Sequence, residues 1–486
     1  MFLYLIELYF AGILLFHLLS NKLPSAVQAV SGILMGYLLY VLNAMVMIGV
    51  GIGLSQTSVV ILTSVECLVF IIVLSLKRKL ASLLRKILSP GFLIVGIVYF
   101  GLLFLFYELN LSFITNDSLF LILFGQDLIQ SGFSEWYFAS PASMGIYMAL
   151  IQAMGMLFGL DYIWFIQPVL SVILIAAIVY FGYKSVSPHI VKRWVALLLV
   201  VGAMLLLMTT NLAYIMTIYI HTNLTSGLFL FLTIVSLYFA IEEKDEAWLV
   251  LCGLSLVSFG LMRIENVLIA LLTIFFYISN SKLSRRQAIL TFVPYLLIQG
   301  IWFFFVSFMD INTFLSSMSN GQVLVISIGC FAMIILLILR DWQFMRWILE
   351  WAGKLLPFLL LVVWSVLGIL NPRSYSINLN SISSNLFVSG NWGFLWYAVI
   401  ALFAISLFSR GFPQKGILLR IMVSFFATIE ILGFFRLPYH ARWFDSSNRM
   451  MIHIAPLILF FLITQIAKAN SFSSALPEGD KMGDSA

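Results

Sequence analysis

The chain is 486 residues long, 62% apolar and only 9% charged, with a formal net charge of +6. No soluble packing covers that much hydrocarbon with polar surface, so composition excludes a soluble enzyme or signalling domain and implies an integral membrane protein. The excess positive charge sits in short clusters between apolar runs, not as a stripe on a soluble domain, so it argues against a nucleic-acid partner and reads as a topology signal.

The N-terminal stretch MFLYLIELYFAGILLFHLLS has no basic n-region and no small-residue cleavage site, and reads as a retained helix. Apolar runs of roughly 16 to 24 residues recur along the chain, each long enough or nearly so to cross about 30 Å of hydrocarbon as a helix. Alternating ten-residue strands are absent, which excludes an outer-membrane barrel. Spanning helices are expected near 2–20, 27–50, 58–75, 91–107, 161–183, 194–210, 223–241, 247–262, 266–280, 287–308, 323–340, 355–370, 394–410, 418–435 and 450–467. The fold class is therefore all-α and polytopic, with about fifteen transmembrane helices. Residues 1–90 read as an N-terminal three-helix module, 91–468 as a transmembrane core, and the polar stretch 469–486 as a disordered cytoplasmic tail. Cys67, Cys252 and Cys330 fall inside apolar runs without paired spacing, so neither a disulfide framework nor a thiolate metal site is expected.

If the loop 76–90 is cytoplasmic, alternation assigns every other loop, and the cytoplasmic side then collects 21 of the 26 basic residues. The other five, Arg263, Arg373, Arg436, Arg442 and Arg449, fall outside. That topology puts the N-terminus outside, the C-terminus inside and residues 108–160 in the first large outer loop. Residues 118–132 of that loop read as a helix in the interface plane, and the small-residue-rich stretch from Pro141 to about 160 as a second interfacial or re-entrant helix.

Within the outer loop, FITNDSLFLILFGQDLIQSGFSEW (113–136) carries Asp117, Asp127 and Glu135 without a Lys or Arg. Asp117, next to Asn116, either caps the helix that follows or serves as a general base or metal ligand. Asp127 is either a solvated-face residue or a substrate contact, and Glu135, beside Trp136 and Tyr137, either an interfacial anchor or a substrate contact. Helices 247–262 and 266–280 form a short hairpin whose tip holds Arg263 and Glu265. That pair either closes on itself or faces an anion in a polar cavity. Arg449 and His453, four apart on the last helix, share a face suited to clamping a phosphate. Arg436, His440 and Arg442 add charge to the same outer loop, with snorkelling to headgroups the alternative for the two arginines. Glu66 and Glu430 lie inside spanning helices, and His221, with Asn223 and Thr225, opens another helix as a cap or a cavity lining. An acidic, base-free loop facing isolated arginines suits a substrate with a phosphate at one end and a hydroxyl to activate at the other.

The order of these motifs resembles the GT-C superfamily of integral membrane glycosyltransferases. The resemblance rests on TND at 115–117, the amphipathic helix after it, SPASMGIYMALIQAMGMLFGLD at 140–161, YIHTNLTSGLFLFLTIVSLYFAI, GLMRIENVLIALL and SSNRMMIHIAPLILFFL, and covers residues 91–468. It implies inverting transfer of a sugar from a polyprenyl-phosphate donor to an extracytoplasmic glycan, lipid or protein acceptor; the basic inner face and the lack of a retention signal make the bacterial cytoplasmic membrane the expected location. Asp117 would be the base, and Arg263 and Arg449, assisted by His453, would hold the lipid phosphate. The remaining substrate-binding expectations are Asn116, Asp127, Glu135, His221, Glu265, Arg436, His440 and Arg442. The chain departs from the family pattern in three extra leading helices, in having Asn116 with Asp117 for the acidic pair, and in the absence of a soluble C-terminal domain. The missing second acid leaves a divalent metal open without implying one. Two other classes fit parts of the pattern: a transporter or flippase for an anionic lipid-linked substrate, and a lipid-linked glycan polymerase or ligase with 371–393 as its catalytic loop.

Overall fold

A computed structural model of the chain describes residues 1–134, 137, 145–190, 192–279, 283–309, 319–407, 415–435 and 439–473. Among these the backbone is helical, and the one extended pairing is an isolated bridge between Phe113 and Tyr219. Among the described residues eleven helices are long and apolar enough to cross a membrane, twelve if a bent pair counts as one span. The protein is thus a polytopic helical membrane protein. Each apolar run named above is helical over most of its length. Three of them, at 16, 16 and 13 residues, are shorter than the hydrocarbon is thick.

The chain divides into two compact units, Met1–Ile173 with Met216–Lys354, and Leu174–Ile215 with Leu355–Ala486. The larger unit opens with α1 (Phe2–Leu19), α2 (Ser25–Gly49), α3 (Gln56–Leu76), α4 (Leu80–Ile87) and α5 (Pro90–Leu109). Its outer-loop helices are α6 (Asn116–Gln130) and α7 (Tyr147–Leu157), followed by the start of α8 (Ile166–Val186). The smaller unit holds the rest of α8, α9 (Arg193–Met208) and most of α10 (Asn211–Ile218).

The larger unit resumes with α11 (Asn223–Glu242), α12 (Ala247–Met262), α13 (Ile264–Ser279), α14 (Arg285–Ser307), α15 (Asn320–Leu339) and the first part of α16 (Gln343–Leu370). The remainder of the smaller unit is the rest of α16, α17 (Pro372–Ser384), α18 (Leu395–Leu407), α19 (Lys415–Phe435) and α20 (Ser446–Ser473).

Between helices in a bilayer there is little hydrophobic gain, because lipid tails are as apolar as leucine, so close packing must hold them together. The α1–α2 pair achieves this with glycines: a Cβ on Gly12 would lie 2.0 Å from the Gly32 carbonyl oxygen, and Gly32 and Gly36 stand one helical turn apart on α2. Helix α11, apolar all round, is buried along almost its whole length, as such a helix must be. Helices α3, α5 and α15 instead expose Leu68, Ile97 and Val325, which need lipid around them.

Several elements differ from the sequence-based expectation. The first ninety residues do not close on themselves: Tyr37 bonds Tyr99 through their hydroxyls (2.8 Å), and the Ser20 hydroxyl donates to the Ala247 carbonyl (3.4 Å). The loop 76–90 contains α4; the Lys79 ammonium at its start caps α1 at the Leu18 carbonyl, and the Lys86 ammonium within it holds the Asn21 and Leu23 carbonyls just beyond α1. Helix α9 bends by 76° into α10, because the Thr210 hydroxyl donates to Leu207 O and accepts from Ala213 N, ending one helix and starting the next. Helix α16 begins at Gln343, twelve residues before the expected start. Residues 371–393 are largely α17 and a following π turn, initiated by Pro372 in the first turn and by Asn371, whose side chain accepts from Ser374 N. Helix α20 continues five residues into the stretch expected to be a disordered tail.

The two ends of the larger unit differ in charge. At one end lie Lys22, Lys77, Arg78, Lys79, Arg85, Lys86, Lys244, Arg285, Arg286, Arg340 and Arg346. Hydrogen bonds join the loops that carry them: Gln287 to Glu246 (3.0 Å), Arg340 to the Leu283 carbonyl, and His17 to Ser82 (3.0 Å). The other end, where α5 leads into α6 and α12 turns into α13, carries Asp117, Asp127, Arg263 and Glu265.

Candidate functional site

At that second end two extended segments run side by side. Phe113 N donates to Ile218 O (2.9 Å) and Ile220 N donates to Phe113 O (3.3 Å). Alternate side chains of an extended segment share a face, so Tyr219 and His221 both point at the start of α6. Their rings stack with centroids 4.9 Å apart.

Three consecutive residues, Thr115, Asn116 and Asp117, have side chains able to cap α6, and Thr115 takes the position. Its backbone N–H donates to the Ser118 hydroxyl (3.2 Å), and its own hydroxyl bonds the Tyr219 phenol (2.9 Å). The capping alternative for Asp117 is thereby replaced. Its carboxylate sits in the first turn, where the positive end of the helix dipole favours an anion. The Tyr219 hydroxyl donates to Asp117 Oδ2 (3.4 Å), and His221 Nε2 lies 3.6 Å from the same oxygen. The carboxylate remains 30% exposed while the imidazole is buried, so Asp117 can be reached from outside and His221 cannot.

The network continues inward. His221 Nδ1 is 2.8 Å from Asn223 Nδ2, and Asn223 Oδ1 accepts from an Arg263 terminal nitrogen (3.4 Å). A guanidinium only donates, so it fixes the Asn223 oxygen towards Arg263 and the amide N–H towards His221. His221 Nδ1 must then accept, which leaves the ring proton on Nε2, facing Asp117. Arg263 in turn makes a two-pronged ion pair with Glu265, Nε to Oε2 and a terminal nitrogen to Oε1, both at 3.3 Å. Arg263 and Glu265 are 8% and 5% exposed. The backbone makes this pairing possible because Arg263 is extended (φ −156°, ψ 149°), the single break between α12 and α13. Asn266 ties the same turn to α11 through Ser226 (2.9 Å) and to the Phe259 carbonyl (2.9 Å).

Gly145 closes over this turn. Its φ is +74°, and a Cβ there would lie 2.2 Å from the Met262 carbonyl oxygen. With Arg263, Tyr137, Trp302 and Phe303 it lines a cavity of about 20 Å³, room for about one water. Burial, with Asp127 nearby, holds the Tyr137 phenol above its ordinary pKa, so it stays protonated.

The sequence-expected residues therefore separate into groups. Asp117, His221, Arg263 and Glu265 come together through Asn223. Asn116 is exposed in the first turn of α6. Asp127 lies ten residues further along α6, a rise of about 15 Å, and accepts from the Ser134 hydroxyl. Glu135 and Arg436 lie outside the described residues. The smaller unit carries His440, Arg442, Arg449 and His453. His440 and Arg442 are exposed, His453 is buried, and the Arg449 guanidinium lies 4.7 Å over the Phe444 ring. Asp445 orders this turn by accepting from His440 N (2.8 Å), Ser447 N (2.8 Å) and the Ser447 hydroxyl (2.6 Å).

Sequence reasoning missed Tyr219, Thr115 and Asp445. Tyr219 had one usable signal, the alternation Tyr219, His221, Asn223 at every second position in YIHTN. Among the described residues no three His, Cys, Asp or Glu side chains converge as a metal site. What the arrangement can do is hold one accessible carboxylate in a fixed orientation while wiring it to a buried guanidinium. Searches against protein-family models, curated proteins and solved structures find no match to the chain.

Proposed function

We propose that the protein is a multi-pass membrane glycosyltransferase of the GT-C type, moving a sugar from a polyprenyl-phosphate donor to a hydroxyl acceptor with inversion. The observation that carries this reading is the chain Asp117, His221, Asn223, Arg263. In it the accessible Asp117 carboxylate takes the acceptor proton as the new bond forms. Arg263, buried and already paired with Glu265 and Asn223, acts through that chain, holding the His221 ring proton towards Asp117. The shorter helices α12, α13 and α18 and the bent α9–α10 pair complete about fifteen crossings, with the basic end of the larger unit inside. The site then faces the outside of the cytoplasmic membrane, where the acceptor is an envelope glycan, lipid or protein. Within the smaller unit, Arg449 and His453 share the face of α20 expected to hold a lipid phosphate.

Purified protein given a radiolabelled polyprenyl-phosphate sugar should release free lipid phosphate only when acceptor is added. Movement of the donor across vesicles with its sugar bond intact would instead support a flippase.

A further inference from the structure

Helix α13 runs about 24 Å from the Arg263 turn to a second polar cavity at the basic end of the larger unit. That cavity, of about 240 Å³, is lined by Ser284, Arg285, Arg340, Asp341, Arg346 and Glu350 among others. Arg340 is its most buried cation, 4% exposed. One terminal nitrogen donates to the Leu283 carbonyl, and the other, Nη1, has no partner among the described residues. A buried, charged donor left unpaired is costly, and an anion entering the cavity beside it relieves that cost.

The surroundings define that acceptor. Glu350 already pairs with Arg346 (3.2 Å), so of the lining charges Arg285 and Arg340 stand against Asp341 alone, leaving one positive charge in excess. The cavity also receives the start of α14. There Ser284 and Gln287 exchange capping bonds, Ser284 N to Gln287 Oε1 at 2.8 Å and Gln287 N to Ser284 Oγ at 3.2 Å, and the helix aims its positive end at the same space. A singly charged phosphate fits. Next to Asp341, Trp342, Phe344, Trp347 and Trp351 are all exposed. The Lys354 ammonium lies 5.2 Å over the Trp351 ring. Exposed Trp and Phe flanked by basic residues mark the level where helices leave the hydrocarbon. We propose that this cavity binds the phosphate of an anionic phospholipid headgroup, with the acyl chains against the tryptophans of α16.

Native mass spectrometry of the full chain in dodecyl maltoside, titrated with phosphatidylglycerol, tests this, with inorganic phosphate and phosphatidylcholine in parallel arms. Arg340→Met and the exposed Arg285→Gln should each weaken phosphatidylglycerol binding by about tenfold or more, the loss expected for a charge-assisted contact. Phosphatidylcholine, whose headgroup carries no net charge, should not compete, and millimolar inorganic phosphate should not displace the lipid. Wild-type phosphatidylglycerol affinity in Arg285→Gln and in any folded Arg340→Met would overturn the site. Equal occupancy by inorganic phosphate without lipid, or competition by phosphatidylcholine, would overturn its assignment to an anionic headgroup.

Discussion

Glu265→Leu isolates the ion pair at the centre of the network. The substitution keeps side-chain bulk and removes both acceptors that Arg263 uses at 3.3 Å. Breaking a buried pair by deleting one partner costs about 3–5 kcal/mol, because the other charge stays desolvated and alone. Both side chains are more than nine-tenths buried, so no solvent screening reduces that figure. Two features pull it to the lower end: Asn223 Oδ1 still accepts from Arg263 at 3.4 Å, and the adjacent cavity admits about one water. A loss of about 3 kcal/mol, roughly a hundredfold in the folded-to-unfolded ratio, is expected. The double variant Arg263→Met with Glu265→Leu removes the stranded charge and should recover most of that stability. Thermal unfolding in detergent, compared across wild type, both single variants and the double variant, measures it. Wild-type stability in Glu265→Leu, or a double variant no better than the worse single one, would refute the view that the pair is buried and mutually dependent.

Asn223→Leu removes the amide that sets the His221 tautomer while leaving Asp117 and Tyr219 in place; transfer rate should fall by about tenfold or more with donor affinity little changed, as read by single-turnover kinetics. Gly145→Ala forces a Cβ into a φ of +74° and against the Met262 carbonyl, and should cost about 1–3 kcal/mol by thermal unfolding. Arg449→Ala should weaken binding of a polyprenyl-phosphate sugar by about tenfold in a filter-binding assay without lowering thermal stability by a comparable factor.

How much of this was legible in the sequence depends on the kind of signal each element leaves. Runs such as QTSVVILTSVECLVFIIVLSL announce α3 because nothing but lipid accommodates them. Helix α17, PRSYSINLNSISS, has no apolar run at all, and its start rests on Asn371 and Pro372, which read equally well as a turn. Helix α4 hid for a related reason, since LASLLRKI carries its charges among its leucines and is only two turns long. The Arg263–Glu265 turn was legible because charge between two short apolar helices has few explanations. The Asp117 environment was only half legible. TND offers three equivalent caps in a row, and choosing Thr115 requires the Tyr219 hydroxyl, which reaches it through a pairing between segments distant in the chain. Non-local pairing of that kind leaves no periodicity to read.

The carboxylate of residue 117 is the most direct point of attack on the whole account. Asp117→Asn preserves shape and the contact with Tyr219 but removes the proton acceptor. With radiolabelled donor and saturating acceptor, donor should bind at wild-type affinity while sugar transfer falls by about a hundredfold or more. Transfer at the wild-type rate in a variant that folds and binds donor would contradict it.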